Sequence, residues 1–321
     1  LTSVGKLTSV EICTGAGGQA LGLERAGFTH EALVEIENPA CETLRINRPK
    51  WNVLEQDLLN WSGKDYAGVD LLAGGVPCPP FSKAGKQLGE NDERNLFPKV
   101  IDLVDEIRPK AVMLENVRGL LDTVFDTYRH YVETQLKALG YTPSWRLLNS
   151  SDYGVSQLRP RVIFVGIRNE FAEHSHWPTP RKVEPLTVGE LLRDLMGANG
   201  WEGANAWADA ASAIAPTLVG GSKKHGGPDL GPTRARAAWA SLGVNGKTLA
   251  EVAPEAGFEG MPRLTVRMAA RVQGFPDDWQ IFGRKTAAYR QVGNAFPAPV
   301  AEAVGRAITK AISVRRLHAV A

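Results

Sequence analysis

From residue 7 to about residue 166, short apolar runs alternate with amphipathic stretches, and this cadence leaves few architectures open. Residues 10–13, 32–35, 69–73 and 111–114 read as strands, separated by candidate helices at 19–26, 39–47, 95–107 and 125–139. Residues 161–166, Arg-Val-Ile-Phe-Val-Gly, add another strand after a polar loop over 149–160. Strands joined through helices pair in parallel. The expected fold class is therefore α/β, a mostly parallel sheet with helices on both faces.

Beyond residue 177 the cadence fails. Residues 177–262 are rich in Gly, Pro, Ala and Trp, with basic groups at Arg181-Lys182, Lys223-Lys224-His225 and Arg234 to Arg236. They read as a second, less regular domain, with 204–215 as a helix. Residues 264–272 look helical and lead through Gly274-Phe275-Pro276 to a last helix at 299–313. The 321 residues can build one large domain and a smaller one. The expected division is 1–176, 177–262 and a returning segment at 263–321.

With 37 Lys plus Arg against 35 Asp plus Glu, a polyanion would have to be held by local basic clusters. The three cysteines, Cys13, Cys41 and Cys78, are spaced for neither a zinc knuckle nor a disulfide scaffold, so no metal is expected and a reducing cytosol fits. No run of 18 apolar residues occurs, and no basic head precedes an apolar stretch. Neither a membrane span nor a secretory signal is expected.

Cys78 lies in Gly-Gly-Val-Pro-Cys-Pro-Pro-Phe-Ser, directly after the apolar run 69–73, where a thiol is presented at the end of a strand. A second strand ends in Glu115-Asn116-Val117 and delivers a carboxylate toward the same cleft. A thiolate with a proton-donating acid is equipment for covalent attack on an electron-poor carbon, such as carbon 6 of a pyrimidine. The tight turn Cys13-Thr14-Gly15-Ala16-Gly17-Gly18-Gln19 follows the first strand and lets backbone approach a ligand at a helix start. Its glycine spacing is not the dinucleotide fingerprint. Glu35 ends the second strand, where a carboxylate can accept from ribose hydroxyls, and Asp57 closes the next element, where it can accept from an adenine amino group. In Gln157-Leu158-Arg159-Pro160-Arg161 two guanidinium groups stand two residues apart, suited to a base carbonyl or a phosphate, although either alone also reads as solvated surface.

Taken together, these motifs resemble the DNA (cytosine-5) methyltransferases over nearly the whole chain and in the family's linear order. Gly15-Ala16-Gly17-Gly18 is similar to the family's S-adenosylmethionine loop, Pro77-Cys78 to its catalytic Pro-Cys, Glu115-Asn116-Val117 to its Glu-Asn-Val, and Gln157, Arg159 and Arg161 to its Gln-x-Arg-x-Arg. Arg263-Leu264-Thr265 with Arg271 to Pro276 resembles the segment that organises the recognition domain, and Gln291-Val292-Gly293-Asn294-Ala295 the motif that returns to the cofactor pocket.

The resemblance implies a Rossmann-like methyltransferase fold and S-adenosyl-L-methionine as cofactor, held by Cys13, Gly15, Gly17, Gly18, Glu35, Ile36, Asp57 and Asn294. It implies Cys78 as nucleophile, Glu115 as the acid at ring nitrogen 3, Arg161 on the cytosine carbonyl and Arg159 supporting the catalytic loop. Double-stranded DNA would be the partner, with Ser82, Gln157, Lys223, Lys224, Arg234 and Arg236 as its contacts and 177–262 as the target-recognition domain. With no large reader module ahead of the first strand, the resemblance points to a compact bacterial enzyme of the restriction-modification type. Such an enzyme is expected to be a monomer, cytoplasmic and associated with the nucleoid, sharing its site with a cognate restriction endonuclease without a stable complex.

Three departures bear on the carry-over. Cys13 stands where the family has an aromatic that packs on adenine, Pro79 follows the catalytic Cys where Gln is usual, and Pro160 separates the two arginines. Three other readings remain open at this point: an RNA cytosine-5 methyltransferase, a catalytically silent DNA-binding protein on the same scaffold, and a nicotinamide-dependent oxidoreductase suggested by the glycine turn and acid alone.

Overall fold

The computed structural model describes residues 6–77, 95–181, 183–221 and 227–318. Cys78, Ser82, Lys223 and Lys224, all named above, lie outside the described residues. Among the described residues the seven strands are β1 (Leu7–Ile12), β2 (Phe28–Glu35), β3 (Val53–Glu55), β4 (Leu71–Gly74), β5 (Ala111–Val117), β6 (Tyr141–Asn149) and β7 (Pro160–Arg168). They form one sheet in the order β3-β2-β1-β4-β5-β7-β6. The pairs from β3 to β5 are parallel, and β7 runs antiparallel to both β5 and β6.

The strands legible in the sequence are those buried on both faces, β1, β4 and β5 among them, which read as unbroken apolar runs. Two strands gave no such signal. The three-residue β3 sits at one edge and is half-exposed, while β6 sits at the other edge and alternates buried with exposed positions around Pro143. Edge strands need no continuous apolar run and tolerate proline, so nothing in β6 marks it as a strand.

Helices α1 (Gly18–Arg25), α2 (Asn38–Asn47), α3 (Phe97–Ile107) and α4 (Asp126–Ala138) connect the strands, and Pro39 and Pro98 occupy first-turn positions where a missing N–H costs nothing. Further along come α5 (Val188–Met196), α6 (Ala204–Ala210), α7 (Thr233–Ala240), α8 (Val266–Val272), α9 (Lys285–Asn294) and α10 (Ala298–His318). A reciprocal capping box between Thr187 and Glu190 starts α5.

The expected helix over 204–215 stops at Ala210. The backbone beyond it is recruited elsewhere: the carbonyls of Ala211 and Ala213 accept from Gly189 and Val188, and Ala215 exchanges bonds with Ser156 and Leu158. These pairings are incompatible with a continuing helix and tie the segment to the loop before β7.

Residues of the irregular region do not pack in isolation. Val188, Trp207, Leu230 and Trp239 share a core with Leu264, Met268, Phe275 and Trp279, and also with Ala16 and Leu21 at the start of α1. Packing is thus continuous across residue 262 and reaches the first βα turn. At the same turn, Trp279 Nε1 donates to the Ala16 carbonyl at 3.1 Å. Among the described residues no helix is long and apolar enough to cross a membrane.

Candidate active site

The strand order reverses at β1, which lies between β2 and β4. A crevice therefore opens beyond the carboxyl ends of β1 and β4, the usual ligand position in an open α/β sheet. The turn that follows β1 has Cys13 and Gly15 at positive φ, 50° and 58°. This backbone folds back toward β2, so that Gly15 N donates to Glu35 Oε2 at 2.7 Å, while the amides of Ile36 and Glu37 donate to Oε1, each at 2.8 Å. Three amides fix the carboxylate at the strand end. Burial nevertheless raises its pKa above the ordinary carboxylate value, against the pull of those bonds.

A cavity of about 190 Å³ occupies the crevice. Of the expected residues, Cys13, Gly15, Glu35, Glu115 and Asn294 line it. Gly17 and Gly18 are not among the residues that line it. A Cβ on Gly17 would lie 2.6 Å from Leu44 Cδ2, and one on Gly18 only 2.3 Å from the Phe296 carbonyl oxygen. These two glycines are required by close packing of α1 against its neighbours. Ile36 is 58% exposed beside the cavity, and Asp57 caps the short 3-10 turn Leu58–Asn60, accepting from Leu59 N at 3.0 Å. Neither lines the cavity.

Sequence reasoning did not single out Glu11, Thr14, Gln19, Gly75, Arg290 and Phe296 as site residues, yet all of them line it. Only the position of the first three around the glycine turn, and of the last two beside Asn294, could have drawn attention to them. The donor set fits S-adenosylmethionine. Glu11, Glu35 and Glu115 bring three carboxyl groups to one cavity, a counterpart to a sulfonium and an ammonium, and buried polar atoms of Glu11 and Gln19 have no partner.

Glu115, the acid expected to meet the base, also lines the cavity. It is buried on β5 and paired with Arg161, whose Nε lies 2.8 Å from Glu115 Oε1. The ladder explains the pair: Ile163 of β7 faces Glu115, and Arg161 is two residues along on the same face, within diagonal reach. Burial raises the Glu115 carboxyl above its ordinary value, opposed by Arg161 and Arg159. Gly75, which leaves β4, approaches so closely that a Cβ there would stand 3.4 Å from Glu115 Oε2. Asn116 Nδ2 donates to the Val76 carbonyl at 3.0 Å. β5 therefore grips the backbone two residues before Cys78. The two described thiols are poor nucleophiles: burial, then the neighbouring carboxylates, pushes Cys13 up, and burial pushes Cys41 up to about 12.

Two expected contacts prove to be interior. Gln157 was assigned to DNA, but it is fully buried, with Nε2 donating to Gln273 Oε1 and the Val272 carbonyl and Oε1 accepting from Leu218 N. Both ends of its amide are engaged, so it cannot reach a duplex. Arg159 is likewise fully buried and donates to the carbonyls of Leu218, Gly293 and Ala295 at 2.8, 2.8 and 3.2 Å. Expected to support the catalytic loop, it joins the start of β7 to the 218 loop and to the end of α9, and it does not line the cavity. Arg234 and Arg236 both fall on α7, but two residues turn a helix by about 200°. They point to different sides, Arg234 exposed and Arg236 half-buried with its stem against Gly246.

The model of the C-5 cytosine-specific DNA methylases matches residues 7–310. The Type II methyltransferase M.NgoMIV of Neisseria gonorrhoeae is 58% identical over 316 residues, covering 96% of this chain and 98% of that protein. M.NaeI of Lentzea aerocolonigenes is 54% identical over 314 residues, 96% of this chain and 76% of that protein. Among solved structures, DNMT2 of Spodoptera frugiperda has the same fold, with a TM-score of 0.65 at 19% identity over 94% of this chain and 99% of its own. A match of this extent, on a sheet whose crevice gathers Glu35 and Glu115, places the chain in the C-5 cytosine-specific DNA methylase family, whose members transfer a methyl group from S-adenosylmethionine to carbon 5 of cytosine in DNA.

Proposed function

We propose that the transfer proceeds through a covalent bond between Cys78 and carbon 6 of a cytosine rotated out of a specific double-stranded site. The observation that carries this reading is the buried Glu115–Arg161 pair beside the backbone that leads to Cys78. A carboxyl group held above its ordinary pKa keeps a proton to give. As the Cys78 thiolate bonds to carbon 6, Glu115 delivers that proton to ring nitrogen 3, and electron density collects at carbon 5. The cofactor supplies an electrophilic methyl group. Loss of the carbon 5 proton to solvent then expels the Cys78 thiolate, and Glu115 recovers its proton from nitrogen 3.

Arg161 holds the cytosine carbonyl while pairing with Glu115, and Arg159 acts from behind by fixing the strand that carries Arg161. A stacked base cannot meet a thiolate, so the base must leave the duplex, and 177–262 would hold the opened DNA and read its neighbours. Within that region Arg234 is the exposed candidate on α7, while Ser82, Lys223 and Lys224 are further candidates from the sequence. We assign the enzyme to the cytoplasm at the nucleoid, acting as a monomer whose methylation shields sites from a separate endonuclease.

Incubation with duplex DNA carrying 5-fluorocytosine tests the mechanism, because fluorine cannot leave as a proton. A stable protein–DNA adduct mapped by mass spectrometry to Cys78, and absent in Cys78→Ser, is expected. Methyl transfer at the normal rate by Cys78→Ser would sink the mechanism. Sequencing of methylated positions on random DNA defines the target. For DNA contacts, Arg234→Ala should lower the slope of log affinity against log salt by about one unit if Arg234 meets a phosphate; an unchanged slope removes it.

A further inference from the structure

Arg181, a basic residue for which the chemistry above has no use, lies on the segment that follows β7 and the 3-10 turn Asn169–His174. Three bonds strap this segment over β6 and the turn beyond it. Trp177 Nε1 donates to Ser144 Oγ at 3.1 Å, Tyr153 Oη donates to the Pro178 carbonyl at 3.2 Å, and Arg181 N donates to the Asp152 carbonyl at 2.7 Å. Between the strap and α10 lies a groove of about 450 Å³, which shares no lining residue with the cavity beside Glu35.

One wall comes from α10, where Glu302, Arg306 and Lys310 recur every four residues and so share a face of the helix. Ala303 and Ala307, one position along, are too short to fill the space, and Ala303 packs with Trp177 against the core below. The floor is therefore apolar and the rim charged. Glu302 is already engaged, since Arg306 Nε and Nη2 donate to its Oε1 at 2.9 and 2.8 Å, and Arg306 Nη2 also donates to the Arg25 carbonyl at 3.0 Å. Among the described residues neither Arg181 nor Lys310 forms an ion pair. Three cations against one carboxylate give the groove a formal charge of +2 with His174 and His176 neutral, as much as the net charge of the whole chain. Like charges gathered in one concavity repel one another, and a bound anion relieves them.

The donors narrow the choice of anion. Guanidinium forks match phosphate oxygens, an ammonium adds a point charge, and the rings of His174 and His176 bring further N–H groups. A concave space with an apolar floor suits a small ligand, whereas a duplex backbone is followed by cations on an open face. We propose that this groove binds a free nucleotide or a similar small phosphate ester, with its phosphates on Arg181, Arg306 and Lys310 and its less polar part over Ala303, Ala307 and Trp177. The site is independent of the cofactor cavity and of Cys78.

Calorimetric titration of the whole protein with pyrophosphate, ADP and CDP tests the proposal, with S-adenosylhomocysteine present at saturation so that no nucleotide enters the cofactor cavity. All three should bind, and the exposed substitutions Arg181→Gln and Lys310→Gln should each weaken them roughly tenfold. Ala307→Leu keeps every charge and narrows the groove, so it should weaken ADP and CDP roughly tenfold while sparing pyrophosphate. Ala307→Met, checked by ligand-free melting, carries the same expectation should Ala307→Leu misfold. Failure of ADP and CDP to bind, or affinities unchanged in the two Gln variants, overturns the proposal. Unchanged ADP affinity in the folded Ala307 variant reduces the groove to a charged surface and overturns it as well. A salt series with a long DNA duplex covers the other source of phosphate: if the Gln variants lower the slope of log affinity against log salt while ADP and CDP do not bind, the groove holds DNA and the proposal fails.

Discussion

Arg161 on β7 holds Glu115 on β5 by a 2.8 Å contact across an antiparallel ladder, and both side chains are largely withdrawn from solvent. The pair sets opposing demands on one carboxyl group. Burial raises its pKa and the guanidinium lowers it, with burial prevailing. An enzyme that needs the protonated form should therefore lose single-turnover rate as pH rises through this raised value. Arg161→Gln removes the opposing charge, so the alkaline fall should move to higher pH while the plateau drops. Glu115→Gln should cost about 10²- to 10⁴-fold and flatten the limb. A pH profile of methyl transfer under single-turnover conditions checks all three outcomes, and an unchanged limb in Arg161→Gln would contradict the coupling.

Asn116 is expected to act on rate without touching cofactor affinity. Its bond to the Val76 carbonyl positions the segment that leads to Cys78. Asn116→Ala should lower the methylation rate at saturating substrates by at least tenfold, on the scale of a misplaced reacting group, with S-adenosylhomocysteine affinity preserved. Stopped-time assays and calorimetry on the same preparation separate the two quantities.

Gln157 and Arg159 should behave as parts of the interior. Gln157→Leu strands Leu218 N and Gln273, and should cost about 1–3 kcal/mol in urea unfolding, leaving the salt dependence of DNA binding as it was. Arg159→Met leaves three carbonyls without their donor, so the loss should be at least as large. A reduced salt slope in Gln157→Leu would restore it to the DNA surface.

Glu11 makes stability depend on pH. Burial, and after it the charge of Glu35, holds the Glu11 carboxyl well above its ordinary value. The native state therefore binds more protons than the unfolded chain between the two pKa values. Stability consequently falls as pH rises from the usual carboxylate range through the folded value. In ligand-free protein Glu11→Gln should lessen that decline, which Glu35 continues to support with the same sign. Melting curves at pH 5 and pH 8 measure the difference.

The sheet could be read from the sequence where strands are buried on both faces, because there the apolar run is itself the physical requirement. The edges β3 and β6 lack that requirement, and the reversal of β7 depends on the partner it finds, not on its own residues. In the site, Glu35 and Glu115 were legible as acids that close strands. The contact of Glu115 with Arg161 was not, since it arises from an antiparallel register between segments more than forty residues apart. The burial of Gln157 and Arg159 was not legible for a related reason: a polar side chain carries no mark of whether its partners will be water, DNA or buried carbonyls. Glycine spacing was similarly ambiguous, for Gly15 faces the cavity whereas Gly17 and Gly18 admit Leu44 and the Phe296 backbone.

The indole of Trp279 reaches back to the carbonyl of Ala16, and the far wall of the same crevice comes from Arg290 to Phe296. A ribosome releases the glycine turn long before these closing residues, since Ala16 and Trp279 are 263 positions apart. A nascent chain therefore carries an unfinished pocket until these residues emerge, and products terminated before them should be unable to sequester cofactor.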